Sequence, residues 1–471
     1  MSAPLTITTA AAALRAGSLT AVELAESSIA VAERLDEAVG VYIARYDEQL
    51  LEAAAAADAD LAAGRAVGPL HGIPLGIKDI ITTTEGETTG QSLVLDRSWA
   101  SGDAVVVQRL REAGGLIAGK LTTMEFASGA PDPEKPFPIC RNPWNLDHWP
   151  GGSSSGTGSG LATGMFLGGL GTDTGGSIRM PAVWCGITGL MPTFGRVPKS
   201  GCVPLGYSLD HIGPMARSAA DCALMLQCLA GYDASDLTSL DVPVPDYVGA
   251  LTGDLAGMTI GVDRTSGRDR AEHVDEHLDA LLDAAVLELT RLGATVVEVT
   301  LPHYETTLAA AGAIGSGERQ AYHLPDVQTR LLDYSASLRV RAGAATHYSA
   351  ADYVQGQRVR RVVQRAVATL FEDVDLVLTP TSFQVAPTLD QVMSQQGWFR
   401  SLCTQYWDVT GHPVISLPVG FGEGGLPLAM QLVGRPFEET TVLRAAEAFQ
   451  RDTTHHLHVP TLVTEPTEAA A

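Results

Sequence analysis

The chain has 471 residues, 45% hydrophobic and 18% charged, with a net charge of −23 at pH 7. That composition is globular and supplies a sizeable core. So negative a surface repels phosphate backbones and anionic bilayers, which argues against nucleic-acid and membrane partners.

The elements are read from the N-terminus onward. The opening MSAPLTITTAAAALRAG has no basic start followed by a long apolar run, so neither a signal peptide nor a membrane span is expected. Residues 18–36 read as an amphipathic helix, with Thr20 and Glu23 forming a capping box. An alanine-rich helix is expected over 47–65, then a short apolar strand entering a loop at HGIPLGIKDII, 71–81. Residues 103–121 read as helix, glycine turn and buried strand. The same unit recurs at 272–302, and again from a helix near 351–371 into 373–382. Helices alternating with apolar strands predict an α/β layered fold with a mixed sheet. A weak boundary is read near 233–256, and the tail EPTEAAA is expected to be disordered. Six cysteines without a CxxC pair give no zinc or thioredoxin-like motif and suit a reducing cytoplasm.

Two stretches carry chemistry. GGSSSGTGSG, 151–160, holds five glycines, four serines and a threonine. GLGTDTGGSIRMPA, 169–182, places Ser177 after two glycines and before an expected helix start. Main-chain N–H groups converge at such a turn, so Thr174, Gly175 and Gly176 could donate to an oxyanion while Ser177 attacks a carbonyl. A serine nucleophile needs a base. No GxSxG elbow and no SxxK pair is present. Of only four lysines, Lys78 follows the apolar run Ile73-Pro74-Leu75-Gly76-Ile77, a setting that favours the neutral amine.

Other motifs have plainer readings. The glycine-rich run lacks the GK[ST] ending of a phosphate loop. HVDEH, 273–277, reads as the solvated face of a charged helix rather than a metal site, and His455, His456 and His458 read as a mobile segment. His211 is expected to be structural.

LHGIPLGIKD, GGSSSGTGSG and GTDTGGSIRMPAVWCGITGLMPTFGRVP together resemble the amidase signature family of serine hydrolases. The likeness covers almost the whole chain, including NPWN, 142–145, and TGHPVISLPVGF, 410–421. It implies a single α/β/α domain, with a mixed, mostly parallel twisted sheet covered by helices. Within it, 1–66 would be an N-terminal helical segment, 67–232 the core carrying the catalytic residues, 233–460 the remainder of the domain and 461–471 a disordered tail. The resemblance implies a Ser–Ser–Lys triad: Ser177 as nucleophile, Ser153 as proton relay on a cis peptide, and Lys78 as base. Ser154, Asp173 and Arg179 would organise the site from behind. On this reading the glycines of 151–160 let the loop bend tightly. The family loop usually reads GGSSGGS, so Ser155 and Thr157 depart from it, a change that keeps the triad and bears on loop shape and pocket width. Met124, Trp398 and Phe399 are candidate pocket residues; Tyr406 and Trp407 are weaker ones.

The resemblance implies a cytoplasmic amidohydrolase that needs no metal or organic cofactor. Its substrate would be a small-molecule amide, ester or carbamate (urethane). Family members are often dimers, which leaves a homodimer open. The alternative is the glutamine-hydrolysing subunit of a tRNA-dependent amidotransferase, which releases ammonia from glutamine within a complex. The FGEGGLPLAMQLVG and WDVTGHPVIS stretches look more like stand-alone amidases.

Overall fold

The computed structural model describes residues 4–65, 68–98, 102–394 and 397–464. Eleven strands form one sheet: β1 (Tyr42–Arg45), β2 (Pro74–Lys78), β3 (Leu116–Leu121), β4 (Gly168–Asp173), β5 (Thr188–Met191), β6 (His211–Ala216), β7 (Thr259–Val262), β8 (Thr295–Glu298), β9 (Leu376–Pro380), β10 (Val414–Phe421) and β11 (Pro427–Val433). Their spatial order is β1-β3-β2-β4-β6-β5-β10-β11-β9-β7-β8. Helices flank the sheet, giving the mixed α/β architecture expected from the alternating pattern.

Pairing differs from the expected mostly parallel sheet. Parallel ladders are confined to two wings, β3–β2–β4 and β9–β7–β8. The centre, from β4 through β6, β5, β10 and β11 to β9, is antiparallel, so antiparallel contacts predominate. The wings follow the helix–strand units, whose crossovers place strands in parallel. In the centre, β10 and β11 are linked by a short turn through Gly422, Gly424 and Gly425, which can only reverse the chain.

Local signals read from the sequence form as drawn. Thr20 caps the Ala21–Val39 helix with a reciprocal Glu23 bond. The alanine-rich segment is helical over Asp47–Ala62. The unit at 103–121 becomes the Val105–Glu112 helix followed by β3. The Ala350–Asp373 helix leads into β9.

Three readings change. His273 and His277 precede the Leu278–Arg291 helix rather than lying on it, and they pair with Glu423 and Asp275. The C-terminal histidines are anchored: His456 is buried, and Arg217 donates to the carbonyls of His456 and His458. Thr461–Thr464, the start of the expected tail, forms a helical turn whose Leu462 and Val463 carbonyls accept from Arg34. EPTEAAA itself lies outside the described residues. No helix among the described residues is long and apolar enough to cross a membrane.

The topology gathers chemistry at one edge. β2 and β4 are parallel neighbours, so their C-terminal ends, Lys78 and Asp173, emerge on the same side. β6 runs antiparallel to β4 and begins there, with His211 opposite Asp173. In open α/β sheets, ligands bind beyond the carboxyl ends of parallel strands.

Candidate active site

The run that opens the site question is half loop and half helix. Gly151–Ser154 form a loop, and Ser155–Thr163 form a helix. Three of the five glycines therefore serve packing rather than bending. A Cβ at Gly156 would lie 2.5 Å from the Val41 carbonyl oxygen, and one at Gly160 would lie 2.3 Å from Phe166 Cζ. The helix presses against strand and ring at distances only glycine permits. Thr157 uses its hydroxyl on the Leu170 carbonyl at 3.1 Å, tying the helix to β4. Ser155 opens the helix and is buried. The Gly152–Ser153 peptide is cis.

Lys78 ends β2 with no exposed surface. Its Nζ lies 2.6 Å from Ser153 Oγ, 3.1 Å from Ser154 Oγ and 2.7 Å from Thr172 Oγ1. All three partners are neutral hydroxyls, and no carboxylate forms an ion pair with this lysine among the described residues. Burial pulls its pKa down to about 7, against weaker opposing effects that include the Asp173 and Asp210 charges. A substantial fraction is thus the free amine near neutral pH. Lys120 makes the contrast. It is equally buried but rests against Asp79 at 3.3 Å and donates to the Ile81 carbonyl and to Thr88, a structural arrangement.

Ser177 sits in the turn between β4 and the Arg179–Cys185 helix. The Ser154 N–H donates to the Ser177 carbonyl at 3.3 Å, so the two serine-bearing turns touch. No hydrogen bond joins the Ser177 hydroxyl to Ser153 among the described residues. The bonded chain from Lys78 stops at Ser153.

Asp173 organises the turn that carries Ser177. Its carboxylate accepts the N–H groups of Gly176, Ser177 (2.8 Å) and Ile178 (3.1 Å), and Arg179 Nε at 2.9 Å. Burial pushes the Asp173 carboxyl upward, but the Arg179 charge and its hydrogen bonds outweigh this and hold it at about 2. This corrects part of the expected oxyanion set. The Gly176 N–H is already committed to Asp173, whereas the N–H groups of Thr174 and Gly175 have no partner among the described residues. Gly176 has φ +123°, and a Cβ there would lie 2.2 Å from Thr404 Oγ1. The turn needs glycine on both counts.

Residues distant in sequence complete the support. Thr404 Oγ1 donates to the Gly175 carbonyl at 2.8 Å, and Arg179 donates to the Thr404 carbonyl at 2.9 Å. Arg179 also reaches Asp408 at 2.7 Å, with all three charged groups fully buried. Burial, then the neighbouring Asp173 charge, drives the Asp408 carboxyl well above its ordinary range, against the opposing Arg179 charge. Asp408 and Thr172 were not singled out from sequence. Thr172 carried a signal, since it lies two residues before Thr174 on the strand side of the same motif.

A cavity of about 280 Å³ opens beside this turn, with Thr172 and Thr174 in its wall. Ile80, Val203, Leu205, Ile212 and Leu237 give it an apolar lining, and His211 and Tyr207 also face it. Met124, Trp398 and Phe399 are not among its lining residues. Met124 and Trp398 belong to an apolar cluster with Trp149 and Trp184. That cluster closes on Gly152, where a Cβ would lie 2.5 Å from Met124 Sδ and 2.6 Å from Trp149 Cζ2. Phe399 is 54% exposed, edge-on to Trp398. Tyr406 and Trp407 are core residues.

The chain is similar to known proteins over nearly its whole length. A family model described as Amidase matches residues 23–443. The chain is 39% identical to a glutamyl-tRNA(Gln) amidotransferase subunit of Chloroflexus aggregans, over 97% of this chain and 98% of that protein. It superposes with TM-score 0.87 on a chain solved in a study of a vestigial protein complex and the origins of an s-triazine catabolic enzyme. That chain is 31% identical, and the match covers 95% of this chain and 98% of the other. A bacterial aryl acylamidase of the amidase signature enzymes superposes with TM-score 0.86 at 25% identity, covering 98% of this chain and 99% of the other.

Proposed function

The chain belongs to the amidase signature family, and on that premise we propose that it hydrolyses a carboxylic amide through an acyl-enzyme on Ser177. The observation that carries this is the buried Lys78 amine bonded to Ser153 at 2.6 Å, beside a nucleophile turn fixed by Asp173. Rotation of the Ser177 hydroxyl toward Ser153 completes the relay when substrate binds; catalytic bonds often tighten only in the complex. Ser177 Oγ then bonds to the carbonyl carbon, while its proton passes to Ser153 and that of Ser153 passes to Lys78. The N–H groups of Thr174 and Gly175 face the developing oxyanion, each worth roughly 3 kcal/mol by analogy with other hydrolases. The C–N bond breaks as the proton returns through Ser153 to the nitrogen, and the free amine departs. Water repeats the sequence on the ester and releases the acid.

The cavity supports a neutral amide substrate, because its charged groups are already engaged. Asp210 accepts from Thr174 at 2.6 Å and from the Leu205 and Gly206 N–H groups at 2.9 Å. The same chemistry extends to esters and carbamates. The names of the curated relatives favour a second reading, in which the chain is the glutamine-hydrolysing component of an amidotransferase complex. One experiment separates the two. The purified chain is given 4-nitroacetanilide and, separately, glutamine. The first reading expects 4-nitroaniline release by the chain alone and none by Ser177→Ala. Ammonia from glutamine, gained only with a copurifying partner, establishes the second. Undiminished turnover by Ser177→Ala overturns both.

A further inference from the structure

The turn that carries Ser177 is bordered by a side chain that plays no part in the relay. Thr174, Gly175 and Ser177 are partly exposed while Gly176 and Ile178 are buried, so one side of the turn faces outward. Beyond its chain neighbours, a Cβ on Gly175 would have just two heavy atoms within 4 Å, Gln405 Cγ and Nε2, both at 3.9 Å. Gln405 is exposed, and its carboxamide has no hydrogen-bond partner among the described residues. Its backbone is placed firmly all the same. Gln431 Nε2 donates to the Cys403 carbonyl and Arg179 to the Thr404 carbonyl, each at 2.9 Å, and Thr404 Oγ1 donates to the Gly175 carbonyl at 2.8 Å. Gln431, Arg179 and Thr404 are fully buried. A locked support thus holds the root of a free polar side chain beside the turn, the arrangement a binding group requires. Gln431 is the opposite case, its amide nitrogen bonded to Thr379 Oγ1 and to the Pro380 and Cys403 carbonyls.

Position tells which half of the substrate Gln405 meets. The carbon attacked by Ser177 carries three other groups. Its oxygen turns toward the Thr174 and Gly175 N–H groups, and its nitrogen toward Ser153, which returns the proton. The acyl chain takes the remaining direction. Gln405 borders the turn at Gly175, whereas Lys78 bonds only Ser153, Ser154 and Thr172. Resting on the reading of Ser177 as nucleophile, we propose that Gln405 is a specificity-determining residue that hydrogen-bonds a polar group on the acyl chain close to the scissile carbonyl. A carboxamide carries two donor hydrogens and an acceptor oxygen, so a hydroxyl, amine or carbonyl on the first acyl carbons is matched and a methyl is not. Exposure leaves water to satisfy Gln405 when that partner is missing, so the discrimination is about five- to tenfold rather than the far larger ratios of buried polar sites.

The test uses turnover and binding together. The 4-nitroanilides of 2-hydroxypropanoic and 2-methylpropanoic acid share a leaving group and differ by a hydroxyl in place of a methyl. The native protein should show kcat/KM at least about fivefold higher for the hydroxy compound. Gln405→Leu should bring the ratio close to one while holding the 2-methylpropanoyl rate within about twofold, and Gln405→Glu, which keeps an acceptor, should retain the preference. Ligand-observed NMR titration of the Ser177→Ala protein with the two parent amides should show the same order of affinity, lost when Gln405→Leu is added. An unchanged ratio in Gln405→Leu overturns the assignment, as does a native protein with no preference in either measurement. So does a Gln405→Leu effect that follows the amine across an acetamide–acetanilide pair. A Gln405-dependent preference in binding without hydrolysis of either anilide would instead keep the contact and defeat the nucleophile assignment, so the two failures are distinguishable.

Discussion

Lys78 and Asp173 stand at the ends of adjacent parallel strands, both fully buried, yet burial decides the state of the first whereas the Arg179 charge overrides burial at the second. Lys78, which touches only hydroxyls, falls to about 7, whereas Asp173, gripped by Arg179, stays ionised at about 2. One residue is thereby available to accept a proton, and the other is held as a fixed anchor.

The first expectation concerns rate against pH. If Lys78 is the base, kcat/KM for a neutral amide should rise with pH along a single limb with its midpoint near 7, as the free amine forms. Lys78→Ala should lower kcat by at least about a thousandfold, the scale seen when residues acting as a unit are removed. A profile flat from pH 5.5 to 8.5 would exclude Lys78 as the titrating base.

Stability should carry the same signature. The folded pKa of Lys78 lies below its ordinary 10.5, so between pH 7 and 10.5 the unfolded chain binds a proton that the native chain does not. Stability from this group therefore rises with pH across that window, and the cost is full below it. A fall of about three units is worth roughly 4–5 kcal/mol. Lys78→Met should raise Tm most at pH 6–7, with the gain shrinking toward pH 10. Thermal melts at four pH values check this; a pH-independent difference contradicts it.

The two carboxyls around Arg179 should respond unequally. Burial and the Asp173 charge push the Asp408 carboxyl toward its neutral form, so the isosteric Asp408→Asn should change kcat by no more than about threefold, under 1 kcal/mol. Asp173→Asn removes the anion that fixes the Gly176 and Ser177 N–H groups and leaves Arg179 without its principal countercharge. It should cost roughly 3–5 kcal/mol of stability and most of the turnover. Urea unfolding paired with kcat measures both.

Two glycines provide a matched pair. Gly160→Ala gains about 1 kcal/mol of helix propensity but sets a methyl 2.3 Å from the Phe166 ring in a buried interface. Overpacking costs typically 1–3 kcal/mol, so the net change should be destabilising. Gly343 lies in the Ala336–Ala345 helix with nothing within 4 Å of its added Cβ. Gly343→Ala should stabilise by roughly 0.5–1 kcal/mol. Chemical denaturation of both variants reads the signs directly.

Much of the fold was legible because its signals are local. The Thr20–Glu23 cap, the helix–glycine–strand units and the apolar run before Lys78 each need only a short window. Strand polarity at the sheet centre was not legible, because it depends on β5 and β10 meeting across more than two hundred residues. The GGSSSGTGSG run misled in part. Glycine density reads as flexibility, yet at Gly156 and Gly160 it reflects how closely Val41 and Phe166 approach. Site residues found inside motifs, such as Lys78, Ser153, Asp173 and Arg179, do meet in space. Thr404 and Asp408 escaped notice because nothing near them in sequence shows that Arg179 is their partner.

The grip of Thr404 on Gly175, reaching across 229 positions, also sets a schedule for synthesis. A ribosome that has completed the serine-bearing half has not yet made the segment that holds the Ser177 turn in place, nor β10, which pairs with β5. A chain ending before Thr404 would lack both supports, so the turn carrying Ser177 would be left without its distant clasp.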